Sequence, residues 1–450
     1  MLSNEDNQTL THTAAGTPMG ELLRRFWLPV LLSEELDVPD GTQKRVTVLG
    51  EDLLAFRDTS GRVGLVEPVC PHRGANLYYG RNEEGGLRCV FHGWKFDVDG
   101  NCVDLPTAPC NSNYKDRIKI KSYPTQESGG FIWAYMGPAE KQPELPKMEF
   151  TLLPASHVFV SKKWQDCNWV QCVEGAIDTA HFSFLHMVIP KEGEDAATLL
   201  QHAAIGSQSV KNDRIRWVQE DPRPKFEINE FPAGLTIGGA RLAGERELYW
   251  RIAQFLAPNH ALVPSAFPGE NYHGQTWVPA SETSCWIYNY TWNPDRPLTE
   301  EEREACRKGL TVHAEVDENY HPLRGPHNDY LLDRVAQREG SFTGIQGVSE
   351  QDAAVQNSMG GIVDRSREHL GATDIGLVKF RQYMLKRARA LASEGVEPTE
   401  PGCAAHYAVR SGGWVADVDK KLEQVMLERF GHPYGYVGAP LEDETKEVQA

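Results

Sequence analysis

A cysteine and a histidine stand one residue apart in CPHRG, Cys70 and His72, and a second pair stands two residues apart in CVFHGW, Cys89 and His92. Two thiolates and two imidazoles suit tetrahedral zinc. Zinc fingers, however, pair Cys with Cys and His with His, whereas here each stretch carries a mixed pair. Mixed pairs fit a two-iron, two-sulfur cluster whose thiolates bind one iron and whose imidazoles bind the other. Exchanging two thiolates for neutral imidazoles takes the oxidised cluster from doubly negative to neutral, so an electron enters more easily. Gly74 and Gly93 allow tight turns that aim backbone N–H groups at cluster sulfurs. Zinc is the competing reading.

A second constellation lies in NWVQCVEGAIDTAHFSFLHMVIP, which holds Asp178, His181 and His186. Two imidazoles and one carboxylate make the facial triad of non-haem ferrous oxygenases, with positions left open for dioxygen. Two ordinary core histidines are the plainer alternative. Asp178 and His181 share one face of a helix, but His181 and His186 are about 140° apart around it. The spacing therefore predicts a helix that breaks or bulges between the two histidines, as π-bulges do at functional sites. Acidic candidates for the third ligand are many, and spacing does not choose among Glu350, Asp352 and Asp364. Cys102, Cys110, Cys167, Cys172, Cys285, Cys306 and Cys403 lack such partners in the sequence and read as buried, inert thiols.

These residues need elements to hold them, and 450 residues suffice for two domains with ample cores. Nine scattered cysteines suit a reducing compartment, and the polar, acidic start MLSNEDNQTL lacks the basic and apolar regions of a secretory signal. No stretch approaches the roughly 20 apolar residues of a membrane span. We expect a soluble cytoplasmic protein without a membrane partner. A formal net charge of −17 argues against nucleic acid as a partner.

Residues 17–36 open with a helix-like pattern after Thr17-Pro18 and break at Pro29. RVTVLGEDLLAFRD and RVGLVEPVC alternate apolar and polar residues, Asp99-Gly100 signals a hairpin, and GGFIWAYMG reads as a closing strand. PAEKQPELP is a linker. Beyond it, ELYWRIAQFLAP and SCWIYNYTWNP read as strands, while DIGLVKFRQYMLKRARALASEG and DVDKKLEQVMLERFG read as helices stopped by glycine. The fold class is α+β: a β-rich domain over 27–140, a larger mixed domain over 141–450, and an N-terminal segment, 1–26, packed on the larger one.

Taken in order, Cys70-x-His72, Cys89-x-x-His92-Gly93-Trp94 and Glu174-Gly175-x-x-Asp178-x-x-His181-x4-His186 resemble the oxygenase component of Rieske non-haem iron ring-hydroxylating oxygenases. Within them the chain is most similar to the phthalate dioxygenase group. GTPMGELLRRFWLPV, GGFIWAYMGP and EQDAAVQNSMGGIVDRSREHLGATD extend the likeness over nearly the whole chain.

The resemblance implies a Rieske [2Fe–2S] domain followed by a helix-grip domain, an antiparallel sheet with helices over a mononuclear Fe(II). It implies Cys70, His72, Cys89 and His92 as cluster ligands, His181 and His186 as iron ligands, and Asp352 of EQDAAV as the third. It gives Asp178 the role of bridging an iron-bound histidine to a cluster histidine of the neighbouring subunit in a head-to-tail homotrimer or stacked hexamer. The implied activity is cis-dihydroxylation of an aromatic substrate, such as an aromatic carboxylate like phthalate, with O2 and electrons from a separate NAD(P)H-dependent flavin and iron–sulfur reductase. Demethylation of a methoxyaromatic by the same site is an alternative, and a Rieske electron carrier is one of another class. Asn357 and Gly361 stand where phthalate enzymes more usually have Glu and Pro. Arg214, Arg216, Arg241 and Arg251 are candidates to hold a substrate carboxylate, Arg241 and Arg251 foremost.

Overall fold

The computed structural model describes residues 2–108, 113–189, 213–264 and 266–438. Cys110 lies outside the described residues. The N-terminal β-rich unit is built from three small antiparallel sheets. One orders the strands Lys44–Val48, Glu51–Arg57, Val63–Val66 and Ser122–Tyr123; a second orders Arg81–Glu83, Gly86–Arg88, Lys95–Phe96 and Cys102–Asp104. Asp97 and Gly100 close the last hairpin of the second sheet, with Gly100 at φ +79°. A compact core of Leu54, Phe56, Val66, Leu77, Leu87 and Phe96 lies beneath Cys70 and Cys89.

The third sheet corrects the reading of residues 17–36. The helix runs only over Pro18–Leu23, capped by Thr17, whose side chain accepts from the Gly20 N–H. Trp27–Leu32 is instead a fully buried strand pairing with Phe131–Tyr135. Pro29, which cannot donate to a ladder, lies beside a register shift, where strands tolerate it. WLPVLL is apolar throughout, so its pattern could not distinguish a buried strand from a buried helix.

The second unit is an eight-stranded antiparallel sheet. Its order is Val158–Gln165, Ser284–Trp292, Tyr272–Ser281, His260–Leu262, Glu247–Leu256, Gly234–Leu242 and Lys225–Phe231, with Gly412–Asp417 also pairing to Glu247–Leu256. The helix Trp169–Ile177 packs on this sheet, Val348–Ser358 packs on Trp169–Ile177, and the long helix Ile375–Glu394 packs beside Trp169–Ile177, against the strand Lys225–Phe231. Ile375–Glu394 ends at Gly395 in the left-handed region, and Leu422–Phe430 ends likewise at Gly431. The N-terminal helices Asn4–Thr11 and Pro18–Leu23 lie against Ile375–Glu394. No helix among the described residues is long and apolar enough to cross a membrane.

Three thiols read as partnerless are neighbours in space. Cys167 Sγ lies 3.4 Å from Cys172 Sγ, Cys172 Sγ lies 3.8 Å from Cys285 Sγ, and the Gln165 amide reaches both Cys167 and Cys172 at 3.4 Å. All three are buried and their pKa values are raised, Cys167 by its contact with Cys172 and by burial, Cys172 and Cys285 by burial, which keeps them protonated and inert.

Candidate functional site

The two Cys/His stretches fold as matching loops. The Cys70 N–H donates to Ala75 O at 2.8 Å and the Gly74 N–H to Cys70 O at 3.0 Å; Cys89 to Trp94 O and Gly93 to Cys89 O repeat this at 2.8 and 2.9 Å. Gly74 and Gly93, at φ +75° and +78°, supply the left-handed turn each loop requires. The cysteines are buried, while His72 and His92 are half-buried at the rim, their ring centroids 4.4 Å apart. Trp94 stacks on His72 at 4.5 Å and is itself held by Thr107.

This donor set fits a two-iron cluster. Among the described residues the buried Nδ1 of His92 has no hydrogen-bond partner, which leaves its lone pair for a metal. Burial, and then the neighbouring Cys89, push the Cys70 thiol up to about 11, so only a strong positive charge would hold it as thiolate.

The second site assembles at a helix end. Asp178 caps Trp169–Ile177 in an extended conformation, its Oδ1 accepting from the Ala180 N–H at 2.6 Å. The expected helix that breaks or bulges between His181 and His186 is therefore not formed, since the helix ends before both. The α-helix stops at Ile177, because the Asp178 carboxylate competes for backbone donors, and His181 begins a short 3₁₀ turn, His181–Ser183. His181 and His186 nonetheless converge, with Nε2 atoms 3.2 Å apart.

Asp352, from the helix Val348–Ser358, completes the group. Its Oδ1 is 3.7 Å from His181 Nε2 and 3.4 Å from His186 Nε2, and the three donor atoms lie within 4.8 Å of one another. Two imidazoles and a carboxylate converging on one point make a donor set that suits ferrous iron. Asp178 Oδ2 stands 3.6 Å from His181 Nδ1, behind the ring. Burial pushes the Asp178 carboxyl up, but His181 and two backbone N–H groups outweigh it and hold it below the ordinary range.

The helices are locked together behind the donors. Glu174 is buried between Arg365, at 2.8 Å, and Arg381, at 2.6 Å, and Arg381 also grips Glu368. Gln351, which spacing did not single out, accepts at Oε1 from His186 Nδ1 at 2.6 Å. Its position next to Asp352 in EQDAAV was the only signal available.

The arginines separate into two kinds. Arg216 is exposed and pairs with Asp213, and Arg214 is buried and pairs with Glu270 at 2.7 Å. Arg241 donates to the Thr179 carbonyl at 2.6 Å, and Arg251 Nε donates to Thr179 Oγ1 at 3.1 Å. Both are buried immediately behind the Asp178–His181 turn, and the Arg251 guanidinium lies 4.1 Å over the Phe182 ring, which in turn lies 4.9 Å from the His186 ring. Neither has a carboxylate within ion-pair distance among the described residues.

Residues 26–124 match the Rieske [2Fe-2S] domain family, and residues 134–408 match the LigXa C-terminal domain like family. The chain is 40% identical over 393 residues to the phthalate 4,5-dioxygenase oxygenase subunit of Pseudomonas putida, covering 86% of each. It is 35% identical to the 3-chlorobenzoate-3,4-dioxygenase oxygenase subunit of Comamonas testosteroni, covering 96% of this chain and 99% of that one. An oxygenase and ferredoxin complex of carbazole 1,9a-dioxygenase shares the fold, with a TM-score of 0.56 at 17% identity over 88% of this chain and 97% of that one. With its Rieske domain followed by this catalytic domain, the chain belongs to the Rieske non-haem iron ring-hydroxylating oxygenases, as an oxygenase subunit of the phthalate dioxygenase-like group.

Proposed function

We propose that this oxygenase subunit hydroxylates an aromatic carboxylate, of which phthalate is the type, to a cis-dihydrodiol. The observation that carries this is the pair Arg241 and Arg251, two guanidinium groups buried behind the Asp178–His181 turn with no carboxylate partner among the described residues. An uncompensated buried charge costs several kcal/mol, on the order of 3–5, so a substrate that brings a carboxylate there is favoured. Two arginine forks also suit a planar carboxylate geometrically. In this reading Arg251 meets the carboxylate at the edge of Phe182, which sets the aromatic ring beside His186.

The Rieske unit spans 27–140 and the catalytic unit 141–450, with 1–26 packed on the latter. Cys70, His72, Cys89 and His92 hold the cluster, and His181, His186 and Asp352 hold mononuclear Fe(II). Together these groups, when bound, supply the reductive activation of O2. Asp178 Oδ2, 3.6 Å behind His181 Nδ1, orients that ring with Nε2 towards the metal. Phe182 and the surrounding aromatic side chains exclude water. Electrons come from a separate NAD(P)H-dependent flavin and iron–sulfur reductase.

A head-to-tail homotrimer, or two stacked as a hexamer, is supported by two exposed apolar faces. Tyr79, Val90, Phe91 and Tyr114 are exposed in or near the cluster loops, and Phe184, Val355 and Met359 are exposed on the segments that carry the iron triad. Joining one to the other would cover both and bring Asp178 to a neighbour's cluster histidine. Eight free cysteines among the described residues suit the cytoplasm.

The test is turnover with a matched reductase on aromatic carboxylates and methoxyaromatics, combined with iron analysis. Three irons per chain and a cis-diol from a carboxylate support the proposal. Formaldehyde release from a methoxyaromatic would establish the demethylase alternative, and two irons with no turnover would mark an electron carrier.

A further inference from the structure

The two iron-site histidines are backed by different groups. Behind His181 Nδ1 stands the Asp178 carboxylate, whereas behind His186 Nδ1 stands the neutral side-chain carbonyl of Gln351. We propose that Gln351 is a positioning residue that fixes His186 in the tautomer and orientation needed to bind iron through Nε2. This inference rests on the reading that His181, His186 and Asp352 hold mononuclear iron.

The hydrogen bonds run in one direction. Ile345 O can only accept, so the side-chain nitrogen of Gln351, 2.7 Å away, must be the atom facing it. Oε1 of Gln351 must then face His186, and because an amide oxygen only accepts, His186 Nδ1 must carry the proton. The lone pair of the neutral ring is left on Nε2, the atom that faces His181 and Asp352. His186 and Gln351 are 4% and 3% exposed, so water has little access to replace this chain.

Gln351 also stands next to Asp352 in the helix Val348–Ser358, where its N–H donates to Gly347 O at 3.0 Å. One rigid turn thus presents both a metal ligand and the group that aims a second ligand from a distant segment. The loss of such an orienting partner typically weakens metal binding by about 10- to 100-fold.

The experiment uses the purified holoenzyme and the variants Gln351→Leu and Gln351→Glu. Release of mononuclear iron to a ferrous chelator is timed, the cluster is followed by its visible absorbance, and the Fe(II)–nitric oxide adduct is examined by EPR. Gln351→Leu should lose mononuclear iron about 10- to 100-fold faster with the cluster spectrum unchanged. Gln351→Glu keeps an acceptor for Nδ1–H and should retain iron far better than Leu, with a shifted nitrosyl spectrum because a carboxyl group then backs the ring. Wild-type iron retention in Gln351→Leu would overturn the inference, as would equal loss in both variants, which means packing alone. If Gln351→Leu does not fold, an unaltered nitrosyl spectrum in Gln351→Glu overturns it and a shifted one supports it. A wild-type protein with only two irons per chain would instead remove the underlying iron-site reading.

Discussion

Gly175 lies beneath the side-chain amide of Gln356 so closely that a methyl group on its α-carbon would stand 2.5 Å from Gln356 Nε2. Gln356 cannot easily swing aside, because its Oε1 accepts from Gln165 at 2.6 Å within a buried network. This contact sets the distance between the helix that ends at Asp178 and the helix that carries Asp352. In Gly175→Ala, the helix-propensity gain of about 1 kcal/mol opposes an overpacking cost of about 1–3 kcal/mol. We expect net destabilisation in urea unfolding and weakened iron retention with the cluster intact. A variant more stable than wild type would show that the close approach does not matter.

Asp178→Asn should keep both metal centres loaded while product formation falls by orders of magnitude. The amide retains the size of the side chain but offers a single weaker acceptor, so it cannot serve two imidazole N–H groups as a carboxylate does. Metal analysis and single-turnover product yield check this together. Full activity would sink the bridging role, and loss of iron would recast Asp178 as structural support for the turn.

Arg251→Lys keeps a charge but loses the planar fork and its stacking on Phe182. For an aromatic carboxylate, KM should rise by roughly 10- to 100-fold, the equivalent of one charge-assisted contact worth about 1.5–3 kcal/mol. An uncharged aromatic should show little change. Equal losses on both substrates would mean that Arg251 supports the Thr179 turn without touching substrate.

Two histidines away from the iron site, the buried His260 and the half-buried His273, predict an acid-labile sheet. Burial holds His260 neutral with its pKa lowered to about 3 and His273 to about 4, against 6.5 when unfolded. Below pH 6.5 the unfolded chain binds protons that the folded chain refuses, so stability is flat above 6.5 and falls as the pH drops towards those values. At pH 5 the loss is on the order of 2 kcal/mol for each. In His260→Gln the difference in unfolding free energy between pH 7 and pH 5 should shrink by about that amount. An undiminished pH dependence would assign the acid lability elsewhere.

The cluster loops were legible in the sequence because everything they need is local: ligands, turn glycines and the stacking Trp94 all lie within 70–94. His181 and His186 were legible as residue types, but their convergence was not, since Asp178 ends the helix with its carboxylate accepting from the Ala180 N–H. Asp352 was reachable only through family resemblance. The chain runs 165 residues between His186 and Gln351, and no periodicity spans that distance. Cys172 and Cys285 escaped notice for the same reason, being 113 residues apart. Trp27–Leu32 was misread because a uniformly apolar hexamer has no period to interpret.

The same separation says how the protein must come together in time. His181 and His186 enter the triad before most of the sheet has been made, and Asp352 enters after it, so a metal held there would clasp a loop containing six of the eight strands. Closing so long a loop is entropically costly, and a single ion cannot recruit its last ligand from an open chain. The strands must pair first, driven by their own burial, and iron in the proposed role would meet donor atoms already within 4.8 Å of one another. In the proposed reading iron would be the final fastening and not the nucleus, and an iron-depleted yet folded chain is the expected consequence.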